Sequence, residues 1–170
     1  MAQILSTTDF LNGDLKLAQD QNTKAAIASI LSAEKEIHYL KQIFGSTLGQ
    51  ALIDDLAGDP LVPVSAKWLD IFTPFDFDKN SQNWYCEGIK RALMYLFYLE
   101  VTTGQSVRNF SSGNHGVNQS AVSAQGINKL EIVLYNRGVE AISLLQAFVL
   151  SDAATYPDFK GIEFEYQSPI

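Results

Sequence analysis

Residues 36–56 read EIHYLKQIFGSTLGQALIDDL. They hold the end of one amphipathic helix, a break at Gly45, and the start of a second helix that Ser46 can cap. Upstream, Ala26, Ile30, Ala33, Ile37, Leu40 and Phe44 recur at intervals of 4, 3, 4, 3 and 4 residues. That spacing lays one apolar stripe along a helix that starts after the N-cap Asn22 and runs to Phe44. Glycine at position 45 suits the left-handed turn that closes a helix. Downstream, Leu48, Leu52 and Leu56 form the inner face of the next helix, which Gly58 ends. A helix–glycine–helix corner is scaffolding and asks for no catalytic residue. It predicts a mainly α protein, a helical bundle of three long and two or three short helices.

The rest of the chain extends this plan. Asp59-Pro60-Leu61-Val62-Pro63 reads as a rigid connector. A short helix over Ser65 to Phe72 turns Trp68, Leu69 and Phe72 inward, and Thr73-Pro74 stops it because the residue before proline avoids helical angles. Phe75 to Asn83 reads as a polar and aromatic loop. The central helix spans Trp84 to Thr103, and its segment Ala92 to Leu99 is apolar all round, so neighbours must cover it on every side. Tyr95 and Tyr98 can carry their hydroxyls to the rim. Residues 104–126 contain five serines, four glycines, three asparagines and three glutamines; they read as a long polar loop or hairpin, uncommon in a compact domain unless a partner orders it. The last long helix runs from Ile127 to Ala153 with Leu130, Leu134, Gly138, Ala141, Leu145 and Phe148 on its stripe. A helical glycine costs about 1 kcal/mol, so Gly138 predicts a close helix crossing. Tyr156-Pro157 ends the helix.

Three segments follow: an N-terminal arm over 1–22, a helical domain over 23–155 and an extended C-terminal arm over 156–170. In the first, Ser6-Thr7-Thr8-Asp9 caps a short turn anchored by Phe10 and Leu11. In the last, Ile162, Phe164 and Tyr166 alternate with Glu163 and Glu165. That is a strand signal, and one strand needs a sheet to join.

The composition removes several classes of function. The chain has 170 residues, 46% hydrophobic and 18% charged, which suits a packed single domain. Its single cysteine, Cys86, rules out an internal disulfide. MAQILSTTDF lacks the pattern of a secretory signal, and the longest apolar block, Ala92 to Leu99, falls well short of the roughly 20 residues a membrane span needs. No membrane partner is expected. With a net charge of −7 and scattered Lys and Arg, the chain lacks the clustered basic face that grips nucleic acid. Asp54, Asp55, Asp59, Asp70, Asp76 and Asp78 crowd one window. They read as a solvated acidic surface, or as a wall that repels DNA over the 8–10 Å that salt allows.

No motif carries catalysis. Ser112-Gly113-Asn114-His115-Gly116 is not a phosphate loop. His38 and His115 are the only histidines and form no convincing triad with Cys86 or a serine. Glu34, Glu36 and His38 share a helix at a spacing that fits surface pairs better than a metal bundle. Asp76, Asp78, Asn80 and Glu87 occupy positions 1, 3, 5 and 12 of a calcium-type loop. Ser81, however, stands where that loop needs glycine, and Asn83 where it needs an apolar residue. No catalytic, cofactor-binding or metal residue is assigned, and no cofactor is expected. A small soluble helical binding protein, calcium-binding through Asp76 to Glu87, is the alternative function.

Taken together, EIHYLKQIFGSTLGQALIDDL, the apolar helix GIKRALMYLFYLEVTTG, the segment SVRNFSSGNHGVNQSAVSA and the closing helix INKLEIVLYNRGVEAISLLQAFV resemble the head–tail adaptor, or head-completion, proteins of tailed bacteriophages of Bacteroidetes. The resemblance covers roughly residues 5–155 and is one of pattern and order. It implies a non-enzymatic virion protein of the neck, assembled in the host cytoplasm as a ring of about twelve copies. Such a ring sits below the portal protein, extends the DNA channel without reading sequence, and offers a docking surface to a stopper or tail-completion protein. On this view the 104–126 segment reaches a neighbour or the lumen. The Phe159–Tyr166 segment adds to a strand of the next subunit or the portal.

Overall fold

The structure, a computed structural model, describes residues 3–10, 15, 21–111, 124–157 and 159–162, with backbone alone at 22, 103–111 and 124–131. The protein is mainly α. A 3₁₀ turn at Thr7–Phe10 precedes helices α1 (Gln21–Ile30), α2 (Ala33–Asp55), α3 (Ala66–Phe72), α4 (Gly88–Ser111) and α5 (Ala124–Ser151). Two small antiparallel ladders complete it, β1 (Leu56–Ala57) with β2 (Val62–Pro63), and β3 (Phe75–Lys79) with β4 (Gln82–Cys86).

The Gly45 corner is present. Helix lies on both sides of it, and Gly45 itself adopts φ 78° and ψ 168°, a region open to glycine and costly for other residues. The expected single helix from Asn22 to Phe44 is divided instead. Leu31 and Ser32 leave the helical path, and Ser32 accepts a hydrogen bond from the Lys35 amide at 3.2 Å, starting α2 afresh. The apolar stripe crosses that break, so periodicity alone does not reveal it.

The core forms where α4 meets its neighbours. Leu93, Phe97 and Val101 of α4, Leu145 and Val149 of α5, and Leu40, Ile43 and Leu52 of α2 are buried together. The close crossing expected at Gly138 occurs: a Cβ there would lie 3.2 Å from the Cβ of Tyr95. In α3, Trp68 and Phe72 face inward as expected, whereas Leu69 is 45% exposed and Ile71 takes its place. The polar end of a seven-residue helix sets that rotation, with the Ser65 and Val64 amides donating to Asp55 at the end of α2. α5 is apolar over Ile132–Ser151 to a degree that length and composition alone would allow in a membrane span. Here its Val139, Ala141, Ile142 and Leu145 are buried in the protein.

Three further expectations change. Phe75 to Asn83 is not a loop, and Trp84 to Cys86 is not helix; the two stretches form the β3–β4 hairpin, and α4 begins at Gly88. Residues 104–111 continue α4; the segment holds no proline, and the cost of Gly104 is small enough for a helix that packing has already nucleated to run through it. Of the rest of the expected polar loop, residues 124–126 begin α5, which starts three residues earlier than expected, and 112–123 lie outside the described residues. So does the strand signal beyond Ile162. The described part of the N-terminal segment is packed on the body: Ile4, Leu5, Phe10 and Leu15 are buried.

Candidate interaction surface

Polar contacts anchor both terminal segments. Glu36, expected on the surface beside Glu34 and His38, is 2% exposed. Its carboxylate accepts the backbone amides of Ile4 and Leu5, each at 2.8 Å. Burial pushes its pKa up, and the two amides work against that rise. A recess of about 230 Å³, lined by Ile4, Glu36, Leu40 and Leu61 among others, lies beside this contact. Asp9 pairs with Lys90 at 2.8 Å. Burial would raise the Asp9 pKa, but Lys90 and the Ser6 hydrogen bonds outweigh it and hold it below the ordinary value. At the other end, Tyr156 donates to the Lys67 carbonyl at 2.6 Å and packs on Trp68. Its phenol is pushed up to about 12, by burial first and then by Asp152 and Asp70.

The residues considered for chemistry are not brought together. His38 and Glu34 are exposed on α2, and His115 lies outside the described residues. Cys86 is fully buried, and burial raises its thiol to about 11, which keeps it protonated and weakly nucleophilic at neutral pH. Asp76 and Asp78 lie on one face of β3, Asn80 is in the turn, and Glu87 points to Arg91 and Tyr95 instead. Among the described residues no group of three or more metal-ligating side chains forms.

The same segment builds the most distinctive exposed surface. Asn80 and Ser81, at φ 55° and 60°, make the two-residue turn of the hairpin, the mirror-image form whose twist matches paired strands. Alternation then sorts the side chains by face. Phe75 and Phe77 pack edge-on against Phe148 of α5, at 4.9 and 5.4 Å between ring centroids. Asp76, Asp78, Asn83 and Tyr85 share the opposite, exposed face, where Asn83 donates to Asp78 at 3.3 Å. Trp84, opposite Phe77, remains 41% exposed and Tyr85 58%. Beside Tyr85, the Arg91 guanidinium donates to Glu87 at 2.9 Å and lies 5.1 Å over the Tyr95 ring. Pro74, Tyr85, Glu87 and Arg91 line an open hollow of about 390 Å³.

The acidic window is less uniform than the sequence implies. Asp54, Asp59, Asp70, Asp76 and Asp78 are exposed, but Asp55 is tied to Val64 and Ser65 at the start of α3. No protein-family model, curated protein or solved structure matches the chain.

Proposed function

We propose that the chain is a structural virion protein, a head–tail adaptor. Copies assemble as a helical-bundle ring below the portal, extend the DNA channel and present a docking surface to the stopper or tail. The support is the Gly45 corner. One of the stretches that carry the resemblance, residues 36–56, forms a helix–glycine–helix turn, and two long helices, α4 and α5, follow it in the order the resemblance leads one to expect. A rigid helical body with exposed acidic residues also suits a channel component that lets DNA pass, because like charge opposes binding to phosphate.

The test is composition of the virion. A tailed phage carrying this gene should yield the protein in purified particles, in fixed ratio to its portal and enriched in isolated necks. Absence from mature particles would contradict the proposal.

A further inference from the structure

The β3–β4 hairpin stands as a two-stranded sheet with chemistry divided sharply between its faces and with an open edge. The pair closing a two-residue turn, Lys79 with Gln82, exchanges both backbone bonds, and bonded and unbonded pairs then alternate. The register Asp78–Asn83, Phe77–Trp84 and Asp76–Tyr85 therefore leaves the N–H and C=O groups of Asn83 and Tyr85 turned away from β3. Among the described residues no backbone partner takes them up. All of Gln82, Asn83, Trp84 and Tyr85 are exposed. An edge of this kind is a template for another strand unless something blunts it, and here it carries the exposed aromatics Trp84 and Tyr85.

We infer that the β4 edge, Gln82–Tyr85, is a docking site for an extended segment of a partner protein in which basic and apolar residues alternate. The two faces specify that pattern. An added strand places every second side chain beside Tyr85 and Asn83, with Asp76 and Asp78 one strand further on; lysine and arginine are long enough to reach those carboxylates. The intervening side chains fall on the Trp84 and Phe77 face, which favours apolar or aromatic groups. The tail of a second copy is a poor match. Glu163-Phe164-Glu165-Tyr166 would set its glutamates against the aspartates in one register and over the aromatic face in the other. The net charge of −7 on each copy adds to that mismatch. The inference stands independently of the adaptor reading, since it concerns binding by the isolated chain.

The test uses three capped heptapeptides against the full-length protein: alternating Lys and Val, alternating Glu and Val, and the Lys–Val peptide N-methylated on the backbone of alternate residues. Binding is followed by amide exchange and by nuclear magnetic resonance shifts. The Lys–Val peptide should bind saturably and slow exchange of the Asn83 and Tyr85 amides. N-methylation of the ladder-forming amides should weaken it by about tenfold or more. The double variant D76K/D78K, with the hairpin's cross-strand contacts still visible in its spectra, should reverse the preference in favour of Glu–Val. Equal binding of the two charge patterns, or binding that leaves Asn83 and Tyr85 unprotected, would overturn the inference. So would no binding, or concentration-dependent protection of those amides in the protein alone, which would make a second copy the occupant.

Discussion

Gln146 of α5 donates from Nε2 to the backbone carbonyl of Ile43 across 2.7 Å. The two residues are 103 positions apart, and Ile43 sits just before the Gly45 corner. A helix that turns at Gly45 interrupts its own ladder, and a buried carbonyl left without a donor is costly. Gln146, only 6% exposed, supplies the donor from another helix, and its Oε1 accepts from the Ile162 amide at 3.4 Å. One side chain thus joins the corner, α5 and the start of the C-terminal segment.

Replacing Gln146 with leucine keeps the bulk and removes the donor. Stability should fall by about 1–3 kcal/mol, the range for a buried polar group left unpaired. Urea unfolding at neutral pH measures it. Gln146→Glu should be worse at neutral pH, because a carboxylate would then face the Ile43 carbonyl.

Gly88 joins the hairpin to α4 at φ +80°, and a Cβ there would lie 2.5 Å from the Thr73 carbonyl oxygen. Backbone cannot step aside as a flexible side chain can. Gly88→Ala should cost about 3 kcal/mol, combining an unfavourable φ with overpacking. Gly58→Ala is the comparison: its φ is also positive, at +89°, but the nearest atom is 3.4 Å away. The loss there should be clearly smaller by the same unfolding measurement.

Glu36→Gln should detach the N-terminal segment. The carboxylate accepts from both Ile4 and Leu5, whereas a glutamine presents one acceptor and one donor to the same two amides. The expected cost is about 2–4 kcal/mol. Exchange of the Ile4 and Leu5 amides should accelerate more than exchange in α4 or α5. Uniform acceleration across the chain would contradict the local role.

Asp9 and Asp55 set the acid side of the stability profile. The Asp9 carboxyl is held low despite burial, by Lys90 and Ser6; that of Asp55 is held low despite some desolvation, by Ser65 and Val64. A carboxyl whose folded pKa is depressed stabilises the fold above its unfolded pKa, here 3.8, and loses that contribution as pH falls through the folded value. Asp9→Asn with Asp55→Asn should therefore lower stability at pH 6 and flatten the decline below about pH 4. Urea midpoints taken from pH 6 down to pH 2 provide the check. Glu36 runs the other way: its raised pKa means that its burial penalty eases on acidification.

How much of this was legible follows from where each signal lies. The helical period up to Phe44 and the Gly45 break are local features; the break appears as read, whereas the helix carrying the stripe is divided at Leu31 and Ser32. Gly138 was also readable, because a helical glycine needs a compensating contact and Tyr95 provides it. The hairpin was legible in principle: Phe75 and Phe77 alternate with Asp76 and Asp78, and Asn80 tolerates a left-handed turn. The same aspartates also fit the spacing of a cation-binding loop, and that pattern competes with the two-residue period. Glu36 had no local signal at all. Its partners lie 31 and 32 residues away, and spacing along one helix cannot show which surface the chain returns to cover. Ser32 was hidden differently, by an apolar stripe that runs straight across the break.

The most direct measurement of the adaptor proposal is the mass of the purified protein across a range of concentrations, alone and mixed with a phage portal ring. The account predicts a closed ring, or a smaller species that adds to the portal in fixed stoichiometry. A monomer at every concentration, with the portal leaving its mass unchanged, would contradict it.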